Sequence, residues 1–169
     1  MNKKIYNKTI LKVISIIVLI IVSIKVINIL YNRTNLLDEK TQIYEIPNTM
    51  DYAIRSFKDE NVLIVHEYYL ITNPPKDSEK LKESVENFVE KNNIRQKLID
   101  DGTRLNDNKN IKNIQYSISF LKQSFNTPKN WQPKKGSILN DDTLNDHKDD
   151  VIAGYEFNNY NNKKSYFAF

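Results

Sequence analysis

The chain contains no cysteine, which excludes disulfides, a lipid-modified N-terminal cysteine, thiol catalysis and every cysteine-based zinc site. Glycine is almost as scarce, with three in 169 residues. That scarcity removes the glycine-rich loops that cradle phosphates and the fingerprints of nucleotide sites. With only two histidines, His66 and His147, a zinc site would have to draw on carboxylates. No G-x-S-x-G motif is present to present a nucleophilic serine. No acidic residue precedes Asp38.

That last absence explains the charge. The net charge is +4, and five lysines (Lys3, Lys4, Lys8, Lys12 and Lys25) fall within the first 31 residues. The remainder carries 20 basic against 21 acidic residues, a net of −1. The basicity therefore belongs to the N-terminal segment, and nucleic-acid binding loses its compositional support.

What is present in that segment is a long apolar run. Residues 10–31 (ILKVISIIVLIIVSIKVINILY) would span roughly 33 Å as a helix, close to the hydrocarbon thickness of a bilayer. Lys12 and Lys25 sit towards its ends, where a long side chain can carry its ammonium to the headgroups. Lysines precede the run and a mixed-charge segment follows it, so the positive-inside rule puts residues 1–9 in the cytoplasm. A cleavable signal peptide would want a shorter core and a small-x-small site. The exit KVINILYNRT has neither alanine nor glycine, which favours a retained signal-anchor over a cleaved signal or a buried soluble helix.

Residues 32–46 are polar and aperiodic, and read as a stalk. Residues 47–169 read as one extracytoplasmic domain without internal repeats. Met50, Ala53, Ile54 and Phe57 fall at helical spacing after Asn48 and Thr49, which predicts a short helix, with a strand as the alternative. Asn61 to Thr72 (NVLIVHEYYLIT) predicts a central strand, apolar on both faces and stopped by Asn73-Pro74-Pro75. Lys76 to Asp101 predicts a helix weakened at Asn92-Asn93 and ended by Gly102. Alternation from Asn113 to Phe125 predicts a strand with one wet face, and Val151–Phe157 with Ser165–Phe169 predicts a hairpin. The order β-α-β-β-β implies an α+β domain with one main helix on an antiparallel sheet.

Candidate chemistry is sparse. His66 and Glu67 are adjacent on a strand, so their side chains point to opposite faces and make no dyad. The stretch Asp141–Asp150 holds five aspartates and His147, which makes Asp146, His147, Asp149 and Asp150 the candidate ligands of a divalent ion. It lacks the D-x-D-x-D-G spacing of a calcium loop, and a solvated acidic loop is the competing reading. Trp131, the only tryptophan, is either an exposed anchor for a partner or a lid over the end of the sheet. Tyr160 is the second candidate for partner contact. No cofactor is implied. The expected partners are the lipid bilayer and another protein outside the cytoplasm, with no nucleic acid. These features suggest a membrane-anchored binding module, of which an immunity-type protein and an accessory subunit are two forms. The alternative is an ion-dependent protein or enzyme using loop 141–150 with His147.

Overall fold

A computed structural model describes residues 3–33, 40–47, 49–57, 60–107, 111–132, 146–159 and 163–168. The chain is α+β. The first element, α1 (Lys3–Arg33), carries the apolar stretch Ile10–Tyr31, none of which is buried against the rest of the protein. It is long and apolar enough to cross a membrane, the property of an anchor or of a signal sequence.

The rest is a six-stranded sheet with two helices on one face. Strand β3 (Glu60–Thr72) is its spine. Along one side of β3 run β1 (Gln42–Glu45) and β2 (Asp51–Phe57), both antiparallel to it. On the other side lies β4 (Asn113–Lys122), parallel to β3, followed by β5 (Val151–Asn158) and β6 (Lys164–Ala168), each antiparallel to its neighbour. The sheet is therefore mixed, which corrects the expectation of an antiparallel one. A parallel pair needs a crossover, and α2 (Ser78–Lys91) with α3 (Ile94–Asn106) supplies it.

Three further local expectations are corrected. The segment after Thr49 is strand β2, not a short helix. Ile54 pairs with Leu63 and Ala53 with Ile64, so the residues that make one helical stripe are divided between the two faces of a strand, Ala53 buried and Ile54 exposed. Of residues 32–46, read as a stalk, Gln42–Glu45 form β1 and Ile46 is buried. The single main helix is two helices. Asp77 accepts the Lys80 N–H at its start, and Leu81, Val85 and Val89 form its buried stripe. Asn93 then takes a left-handed φ of 52°, which asparagine tolerates, and α3 starts at the next residue.

Gly102 does not end a helix. It lies inside α3 and continues the buried stripe of Ile94 and Leu98. A Cβ placed there would stand 2.8 Å from Cε1 and 2.9 Å from the hydroxyl of Tyr116. Tyr116 cannot easily withdraw, because it is buried and stacks on Phe157 at 4.7 Å. Gly102→Val is therefore expected to lower the unfolding free energy by about 1–3 kcal/mol, as overpacked cores do. Urea denaturation of the detergent-solubilised chain measures this, and an unchanged midpoint would contradict it.

Two cores result. The larger lies between the helices and the sheet and contains Leu63, Val65, Tyr69, Ile71, Ile118 and Phe120. The smaller lies on the opposite face, where Ile46, Tyr68, Leu70 and Leu121 are covered by Tyr44, Trp131 and Val151. The apolar pattern on both faces of β3 has its cause here, since each face is covered by a different part of the chain.

Candidate functional site

The cover of the smaller core is a hydrogen-bonded knot built from residues 124–131 and 146–150. Beyond the end of β4, the Ser124 hydroxyl accepts the backbone N–H groups of Asn126 and Thr127, closing a tight turn. The hydroxyls of Ser124 and Thr127 then both donate to Asp150 Oδ2, at 2.8 and 2.6 Å. Thr127 Oγ1 lies 3.1 Å from His147 Nδ1, and the Trp131 indole N–H donates to His147 Nε2 at 3.1 Å. An indole N–H can only donate, so Nε2 is an acceptor. In the neutral ring the proton is thereby assigned to Nδ1, from which it points to Thr127. The donor chain runs from Trp131 through His147 and Thr127 to Asp150.

This arrangement shows where the sequence candidates lie. Trp131 is half-buried and packs on the smaller core, edge-on to Tyr68 at 5.8 Å and to His147 at 5.0 Å. His147 has both ring nitrogens engaged, and Asp150 is held by two hydroxyls. Asp146 and Asp149 are exposed, and among the described residues no group of three or more His, Asp and Glu is placed to hold a metal. Tyr160, Asp141 and Asp142 lie outside the described residues. Within the knot Thr127 is fully buried, and its hydroxyl donates to Asp150.

His66 and Glu67 occupy opposite faces. His66 is buried beside Tyr68, and burial lowers its pKa to about 4. Its Nε2 has no hydrogen-bond partner among the described residues. In register it stands in a polar row with Asp51, Ser117, Glu156 and Ser165. Burial raises the Glu156 pKa, an effect opposed by hydrogen bonds from Gln115 and Ser117.

Glu67, on the helix face, is the centre of a cluster that sequence reasoning missed. The Tyr69 hydroxyl donates to Glu67 Oε2 at 2.7 Å. Lys97, from α3, reaches Glu67 Oε1 at 3.3 Å and Glu45 Oε1 at 2.6 Å. Burial, followed by the Glu67 charge, pushes the Tyr69 hydroxyl well above its usual pKa. The cluster ties β1, β3 and α3 together. Between β1 and α2 there is also an open cleft of about 480 Å³, lined by Gln42, Tyr44, Asn87, Phe88 and Lys91 among others. Its lining is neutral apart from one lysine, and it gathers no acid–base pair.

The knot adjoins α1. Gln123 Nε2 donates to the Tyr31 carbonyl at 3.2 Å, and Lys129 Nζ lies 3.9 Å from the centre of the Tyr31 ring. Away from this end, the exposed large apolar side chains of the helix-covered face are Tyr52 and Ile54 on β2, each 43% exposed. Among the described residues no strand pairs with the outer edge of β2. Compared with protein-family models, curated proteins and solved structures, the chain matches none.

Proposed function

We propose that the chain is a single-pass membrane protein, with its N-terminus in the cytoplasm and its sheet domain outside, where it binds another protein. The observation that carries this reading is α1: a predominantly apolar span of 22 residues, none buried against the rest of the protein, with the contact described between it and the domain lying near its C-terminal end. An exposed apolar surface of that size needs an apolar surrounding. Lysines before the span and their scarcity just after it support this orientation.

The partner surface supported best is the outer edge of β2. Among the described residues no strand lies beyond β2, which suits strand addition, and Tyr52 and Ile54 add apolar contact beside Arg55. Immunity-type neutralisation of an extracytoplasmic protein and service as an accessory subunit are two roles that such a surface would suit.

A photo-crosslinker at position 54 in cells tests the reading. The expected result is a discrete adduct in the membrane fraction, absent when the crosslinker replaces Lys112, which precedes β4 across β3 from β2. Ile54→Lys, as an exposed change, is expected to shift stability by no more than about 0.5 kcal/mol while abolishing capture at a second crosslinker on Tyr52. No adduct at either β2 position would contradict the binding surface.

A further inference from the structure

We propose that residues 122–131 dock onto the bilayer surface, with Phe125 seated among lipid headgroups beside the end of α1. This rests on the reading of α1 as a membrane span.

The span fixes the depth. Twenty-two residues from Ile10 to Tyr31 make roughly 33 Å of helix, enough to cross a hydrocarbon core of about 30 Å. Tyr31 therefore stands at the boundary between acyl chains and headgroups, where aromatic residues are enriched. The hydrogen bond from Gln123 to the Tyr31 carbonyl brings the end of β4 to that level. Lys129, over the Tyr31 ring and 5.5 Å from the centre of the Tyr44 ring, brings the other end of the loop there as well.

Phe125 is two residues beyond Gln123, so it lies within about 7 Å of it along the chain. The headgroup layer is itself roughly 5–8 Å deep on each side of the core. Phe125 is 63% exposed, an apolar ring turned outwards at the level where lipid begins. Charge adds little. Lys122 and Lys148 are exposed at this end, but so are Asp146 and Asp149. The occupant is therefore the apolar and interfacial zone of a bilayer rather than an anionic headgroup, and zwitterionic lipid should suffice.

The absence of cysteine allows a clean test in the full chain. Asn126→Cys, Lys112→Cys and Ile20→Cys each carry an environment-sensitive fluorophore in phosphatidylcholine vesicles containing spin-labelled lipid. Lys112 precedes β4, some 30 Å from the Lys122 end at strand rise. The expected result is that the probe at 126 loses emission to headgroup and shallow acyl spin labels, that Phe125→Ser reduces this loss, and that the probe at 112 is unaffected. If the probe at 20 is quenched by acyl-chain labels while that at 126 behaves like that at 112, docking is overturned and the span stands. Quenching at 126 that is indifferent to Phe125→Ser would overturn the seating of Phe125. An unquenched probe at 20 would remove the span, and docking with it.

Discussion

Lys97→Met is expected to cost about 2–3 kcal/mol. The reason is asymmetry. Removing one partner of a buried ion pair leaves the other charged, desolvated and uncompensated, which typically costs about 3–5 kcal/mol. Lys97 is 38% exposed on its side chain, so part of that penalty is relieved by solvent, whereas Glu67 is 6% exposed. Glu67 would keep the Tyr69 hydroxyl and lose its cation. Glu67→Gln in the Lys97→Met background removes the stranded charge and is expected to restore most of the loss. Urea midpoints of the four chains, compared at constant slope, give the coupling directly. A loss below about 0.5 kcal/mol in Lys97→Met alone would show that the cluster is a surface pair of no consequence.

The second large effect is pH dependence through His66. Its pKa falls from 6.5 to about 4 in the folded chain because burial disfavours the imidazolium. Above pH 6.5 both folded and unfolded chains hold it neutral, and it contributes no slope. Between pH 6.5 and 4 the unfolded chain takes up a proton that the folded chain refuses, so stability falls as pH falls. At about 1.4 kcal/mol per pKa unit the accumulated loss is roughly 3 kcal/mol. Glu156, whose pKa is raised by burial, acts in the opposite direction and is the same in both chains of the comparison. His66→Leu is expected to lie within about 1 kcal/mol of the parent at pH 7, since it also removes an Nε2 that has no partner among the described residues. Near pH 4.5 the variant should be the more stable of the two. Parallel melting curves that never cross would refute the burial of a neutral imidazole at this position.

Strands β3 and β4 were legible in the sequence because their signals are local. NVLIVHEYYLIT is apolar on both faces, and Ile114, Tyr116, Ile118 and Phe120 alternate with polar residues. The buried stripe of α2 was legible for the same reason. What local pattern does not carry is pairing. Whether β4 lies parallel to β3 depends on how α2 and α3 return the chain, not on the residues of β4 itself. β1 is four residues long and has exposed residues at both ends, so it resembles a stalk until Tyr69 to Thr72 are opposite it. Gly102 looked like a helix exit because glycine is common there. Its actual constraint, the Tyr116 ring, comes from 14 residues further along the chain.

The same holds for the sites. The acids near His147 suggested an ion, yet what occupies that histidine is Trp131 and Thr127, 16 and 20 residues away. Ser124, Asn126, Thr127 and Pro128 are turn residues, and in hindsight they marked the end of β4 three residues before Phe125 would have closed the predicted strand. Glu67 and Lys97 belong to different elements and nothing in their neighbourhoods announces the contact. The apolar helix, by contrast, was fully legible, because its length and composition are properties of the segment alone.

Orientation of that helix is the point on which membrane display depends. Single cysteines at Lys4 and at Lys112, in a chain that otherwise has none, can be exposed on intact cells to a membrane-impermeant maleimide. Labelling of the full-length chain at 112 and protection at 4 until the cells are permeabilised is the expected result. Labelling at 4 with protection at 112, or loss of residues 1–31 from the labelled product, would contradict the anchored, outward-facing domain.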